Sequence, residues 1–198
     1  MTQVEIAEKI QSLNEWIRTS QLQQAKDAAI QLLALPETYE VEKNIADILY
    51  CKGTIHGMLS ELPEAMKCFE SVLQIHTKND FQEGIAASIG NIGLVYKELS
   101  NFSKALECYE QALKIYEQFG NKKGIAYNLA NIGVVFTLLG NHEKALDYYK
   151  KALAINEEMQ NNLALATNLA NIGSVFTKLS KYSEALQYYE RAYSLNKE

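Results

Sequence analysis

Three histidines and three cysteines are the side chains best suited to nucleophilic or metal chemistry, and their spacing supports neither. Cys51, Cys68 and Cys108 are odd in number and widely spread, which is neither a disulfide framework nor a ligand set. No P-loop, G-x-S-x-G elbow, H-E-x-x-H or C-x-x-C occurs, and Gly90-Asn-Ile-Gly93 sits inside a helical pattern rather than a phosphate loop. His56 falls where Tyr96, Phe136 and Phe176 recur, so it is expected in the core; His76 and His142 are expected near helix ends, solvated. Cys68 and Cys108 stand where Tyr148 and Tyr188 recur and read as packing residues. Lys122-Lys123 reads as a loop charge pair with no basic stripe around it. The reading is therefore not an enzyme, with no catalytic residue, cofactor or metal. The remaining chemistry is that of amides. Asn91, Asn131 and Asn171 recur at a step of 40 residues, with Asn128 and Asn168 one turn away. A carboxamide both donates and accepts, which suits it to gripping an extended peptide backbone. Mid-helix asparagine costs roughly 0.5–0.7 kcal/mol against alanine, so the ladder asks for a reason. Bonding between neighbouring helices is the other reason available, and the sequence leaves both open.

What must position these amides is a repeat. Ala126-Tyr-Asn-Leu-Ala-Asn-Ile-Gly133 returns as Ala166-Thr-Asn-Leu-Ala-Asn-Ile-Gly173 and, earlier, as Ala86-Ala-Ser-Ile-Gly-Asn-Ile-Gly93. The 40-residue step also links Gly53, Gly93, Gly133 and Gly173; Ala25, Ala65, Ala105, Ala145 and Ala185; and Phe69, Tyr109, Tyr149 and Tyr189. Leu13 breaks the glycine column, so the first unit is degenerate. Within a unit, Ala126, Leu129, Gly133 and Phe136 make one helical stripe, and Ala145, Tyr149 and Ala152 a second after a break at Gly140-Asn141. Gly133 and Ala145 are expected to let two helices approach, with Phe136 and Tyr149 filling the space beside them. Asp80 with Glu83 predicts a capping box, Asn121 and Asn161 predict helix starts, Pro63 fits a first turn, and Pro36 falls in the connection after the first unit.

The 198 residues carry 47% apolar and 22% charged side chains, two prolines and a net charge of −5. That excludes wholesale disorder and disfavours nucleic acid or an anionic membrane as partner. Met1-Thr2-Gln3-Val4-Glu5 lacks the basic and apolar regions of a secretory signal, and no stretch is long enough to cross a bilayer, so a cytoplasmic protein is expected. The sequon Asn101-Phe102-Ser103 stands without other signs of secretion.

The pattern Asn-Ile-Gly-x-x-Phe/Tyr, then Ala-Leu-x-x-Tyr-Tyr, then Ala-Leu-x-Ile resembles the tetratricopeptide repeat (TPR), with units lengthened from the usual 34 residues to 40. Similar lengthened units occur in kinesin light chains, Pins-type polarity adaptors and input regions of bacterial signalling proteins. The resemblance implies an all-α, right-handed superhelical solenoid of antiparallel helix pairs. It would be one domain over 1–198, with units near 1–36, 37–79, 80–120, 121–160 and 161–198. It also implies that the first helices line the concave side. Helical spacing then puts Tyr127, Asn131, Val134 and Leu138 there, with Ala87, Asn91, Leu94 and Glu98, then Thr167, Asn171, Ser174 and Lys178, and Asp47, Cys51, Thr54 and Met58. Asn128 and Asn168 are counted with this face. The lysine and second asparagine that clamp acidic chaperone tails in some family members are replaced, by Tyr50, Gly90 and Ala130 and by Thr54, Leu94, Val134 and Ser174; only Asn14 matches. The resemblance thus implies a protein- or peptide-binding scaffold; the alternative is a regulatory or dimerisation input region of a larger signalling enzyme, a histidine kinase or nucleotide cyclase. Tyr188, Tyr189, Ala192, Tyr193 and Leu195 lie on a last helix without a polar cap, which predicts either more protein beyond it or a homo-oligomer.

Overall fold

The computed structural model describes residues 2–34 and 42–195, all of their regular structure helical. Pro36 lies outside the described residues. The helices group into two compact units, Met1–Ser100 and Asn101–Glu198, where the sequence suggests a single array. The first holds α1 (Gln3–Arg18), α2 (Leu22–Leu33), α3 (Glu42–Met58), α4 (Leu62–Lys78) and α5 (Gln82–Glu98). The second holds α6 (Phe102–Phe119), α7 (Lys122–Leu138), α8 (His142–Glu158), α9 (Asn162–Lys178) and α10 (Tyr182–Leu195).

Helix length is set by a 20-residue punctuation. Ser20, Ser60, Asp80, Ser100, Gly120, Gly140, Gln160 and Ser180 all have φ between 51° and 74°. Each left-handed residue ends a helix, and the next N–H reaches back to a carbonyl of the last turn, as in Gln21 N to Trp16 O at 2.8 Å and Asn141 N to Phe136 O at 2.9 Å. Asp80 is therefore part of this turn and not the expected cap. The cap position of α5 is Phe81, which makes no side-chain cap, and Asp80 instead accepts from Gln82 Nε2 at 2.5 Å. Asn121 and Asn161 do cap α7 and α9, accepting from Gly124 N at 2.9 Å and Ala164 N at 3.2 Å. Pro63 sits in the first turn of α4, as expected. A full capping box closes α1, between Thr2 and Glu5.

The glycine column makes room for a ring. A Cβ on Gly133 would lie 2.7 Å from Tyr149 Cε1; on Gly53 it would meet Phe69 at 2.8 Å, and on Gly173 Tyr189 at 2.9 Å. Tyr149 is buried, with its hydroxyl 3.2 Å from Thr137 Oγ1. Burying such a side chain is worth about 1.5–3 kcal/mol, more than the ~1 kcal/mol that a mid-helix glycine costs. The five alanines of the second column are all buried. In the first unit Ile6, Ile10, Leu13, Ala25, Ala29, Leu32, Ile48, Cys51 and Ile55 form one core, and in the second Ala145, Tyr149, Ile172 and Val175 join α8 to α9.

Candidate functional site

In the second unit, α7 and α9 touch, and each turns one stripe outward. On α7, Tyr127 and Leu138 are exposed while Asn131 and Val134 are half-buried; Val134 also packs beside Phe136 against the α8–α9 core. On α9, Thr167 and Lys178 are exposed, and Asn171 and Ser174 half-buried. Leu163 extends this stripe by one more turn and is 74% exposed, the most open large apolar side chain among the described residues. The sequence reading misses it because the stripe was followed only toward its C-terminal end; the four-residue spacing from Thr167 points to it.

In the first unit, α5 carries Asn91 and Leu94 half-buried and Glu98 exposed. Asn91 Nδ2 donates to Ala87 O at 2.8 Å, which leaves Oδ1 as the acceptor available on that surface. Asp47 and Met58 of α3 are exposed and Thr54 is half-buried. Cys51, counted with them from the sequence, belongs instead to the core and is 2% exposed. Its thiol lies 3.6 Å from Asn14 Oδ1, and burial pushes its pKa up to about 11.

The two other asparagines stand elsewhere. Asn128 and Asn168 are 1% and 2% exposed, so neither offers its amide to a ligand on the outward stripe. Three residues from the ladder is 300° of helical rotation, and here that angle is enough to carry the side chain from the surface into the packing. Asn128 Nδ2 donates to Gly124 O at 2.8 Å, while Asn128 Oδ1, Asn168 Nδ2 and Asn131 Nδ2 are buried with no hydrogen-bond partner.

The groups with catalytic potential are occupied structurally. His56 is buried as expected, and its Nδ1 lies 2.5 Å from Glu61 Oε2, which also accepts from Lys26 Nζ at 2.7 Å. The Lys26 hydrogen bond, then that of His56, holds the Glu61 carboxyl below the ordinary carboxylate range. His76 is half-buried, 3.1 Å from Ser88 Oγ, and His142 is half-buried too, which corrects the solvated reading of both. Lys122 lies in the first turn of α7 rather than in a loop and pairs with Glu158 at 2.5 Å. Burial raises the Cys68 and Cys108 thiols above their ordinary value, away from the reactive thiolate. Among the described residues no group of three His, Cys, Asp or Glu could hold a metal ion, and no helix is long and apolar enough to cross a membrane.

Helix pairs of this length, the glycine-and-ring contact and the outward stripe on the first helix of each pair define a class, the helical repeat proteins that bind through a surface built from successive repeats. The tetratricopeptide repeat family model matches residues 44–118 and 123–198, and the chain belongs to that family. Among solved structures, it resembles a Rap protein complexed with competence and sporulation factor. The TM-score is 0.89 at 21% identity, over 98% of this chain and 55% of that one. It also resembles NprR in complex with its cognate peptide NprX, with TM-score 0.73 at 19% identity over 100% and 58% of the two chains. BtubC of P. vanneervenii gives TM-score 0.72 at 18% identity over 93% and 76%. The chain thus spans somewhat more than half of the Rap and NprR chains. At these identities the likeness is one of fold. No curated protein matches the sequence.

Proposed function

We propose that this chain binds an extended peptide or protein segment along the outward stripes of its first helices. The observation that carries the reading is the recurrence of half-buried amides, Asn91, Asn131 and Asn171, on stripes flanked by accessible apolar side chains. Amides at a constant step along a rigid support suit the repeating N–H and C=O groups of a peptide backbone. Leu94, Val134, Leu138 and Tyr127, with Leu163, then receive its apolar side chains. The peptide complexes of the Rap protein and NprR support the choice of a peptide as ligand for this fold. A cytoplasmic setting and a role in signalling fit the same reading.

The test pans a displayed library of random linear peptides against the chain and compares the captured peptide on the parent and on Asn131→Ala/Asn171→Ala. Two lost hydrogen bonds of about 1 kcal/mol each predict a loss of affinity of about 30-fold. Unchanged affinity would remove the ladder from the binding surface.

A further inference from the structure

We propose that α10 is a self-association seam, on which a second copy of this chain docks through its own α10 in antiparallel, two-fold fashion. Tyr182, Leu186 and Tyr193 on α10 are 66%, 58% and 63% exposed, and Tyr189 between them is 39% exposed. Their 4-3-4 spacing puts all four on one face, while Ala185 and Ala192 are buried on another. One repeat earlier the corresponding residues of α8 are His142, Leu146, Tyr149 and Leu153. There Tyr149 is 2% exposed, and Leu146 and Leu153 pack into the core that α8 shares with α9. The seam on α10 thus continues an interface that the chain already builds internally, with the same residue types at the same step.

The occupant follows from what the chain can offer. The surface that α9 presents to α8 includes Ile172 and Val175. The corresponding residues of α1 are Ser12 and Glu15, partly or fully exposed, so the first helix of one copy cannot cover the last helix of another. Head-to-tail stacking is thereby disfavoured, and the apolar surface that matches α10 is α10 itself. Antiparallel pairing about the midpoint of the stripe sets Leu186 of one copy beside Tyr189 of the other, and Tyr182 beside Tyr193. Lys181, Glu184, Glu190 and Arg191 make this segment neutral within a chain of net charge −5, so two copies meet here without repulsion. Taking ~200 Å² for a fully exposed side chain, the stripe contributes about 450 Å² per copy and about 900 Å² to the pair, the size of a weak, reversible dimer.

Sedimentation equilibrium of the full chain over about 10 µM to about 1 mM reads the answer. The expected result is a mass rising from 22.3 kDa toward twice that value, with no larger species. Leu186→Glu/Tyr182→Glu should stay monomeric throughout with unchanged helical circular dichroism. Tyr182→Glu alone should weaken association, and it keeps the test decisive if the double variant loses helicity. A parent chain that stays monomeric, a variant that associates like the parent, or a mass that climbs past the dimer each overturns the proposal. So does a monomer that instead binds a synthetic peptide of residues 162–179, since the seam would then belong to a different helix.

Discussion

Leu13 and Ala29 stand in the first repeat where Gly133 and Tyr149 stand in the fourth, and both belong to one buried cluster. The first unit is thus a different solution to the same volume, with the bulk moved from the second helix to the first. This makes Gly133→Ala a test of what the glycine is for. If it served only flexibility, alanine would gain about 1 kcal/mol of helix propensity. A Cβ 2.7 Å from the buried Tyr149 ring predicts the opposite, a loss of about 1–3 kcal/mol in urea denaturation. Gly133→Leu/Tyr149→Ala, which copies the first repeat, should recover more than half of the loss of Gly133→Leu alone. The buried asparagines give a second residue-scale prediction. Asn128→Leu and Asn168→Leu replace amides that each leave one atom without a partner, and both should raise stability by about 1 kcal/mol. Peptide binding should be unchanged in both, and a loss of binding would return these residues to the recognition surface.

At the scale of the helix, much was legible in the residues, for identifiable reasons. The glycine, alanine and aromatic columns stand out because each is an intrahelical cost or a bulky contact repeated at one step. Gly84 and Gly124 escape such a reading because their partners sit eight residues earlier on the preceding helix. A Cβ on Gly84 would meet His76 at 2.6 Å, and one on Gly124 would meet the Tyr116 ring at 2.5 Å. At the next step the pair becomes Asn156 and Ala164, so no single residue type recurs to betray the contact. The 20-residue punctuation is hidden in the same way, because serine, aspartate and glutamine hold left-handed positions that glycine alone would advertise. These positions carry strain that glycine relieves. Gln160→Gly should therefore raise the denaturation midpoint by an amount equivalent to about 0.5–1 kcal/mol, and Gly140→Ala should lower it by about 1 kcal/mol. A stabilised Gly140→Ala would mean that the turn is not what ends the helix.

At the scale of the whole chain, the family and the all-α repeat fold were readable from the 40-residue step, whereas the division at residue 100 was not, because α5 and α6 carry the same repeat signature as their neighbours. Whole-molecule stability should also depend on one polar contact that the repeat pattern obscures. Lys26 of α2, His56 of α3 and Glu61 at the start of α4 meet in one cluster, and His56 stands where other repeats place an aromatic ring. The hydrogen bond from Lys26, and after it that from His56, keeps the Glu61 carboxyl ionised to lower pH in the folded chain than in the unfolded one. A depressed carboxyl contributes its full stabilisation above its unfolded value, near 4.5, and loses it as the pH falls through the folded value. Because Glu61 is open to solvent, the contribution is modest and screened by salt. Urea denaturation from neutral pH downward should therefore show Glu61→Gln less stable than the parent by a constant margin above pH ~5, with the margin closing at more acid pH. Added salt should narrow it at neutral pH. Parallel pH profiles for the two chains would show that the cluster contributes nothing through its charge, and that His56 is held there by packing alone.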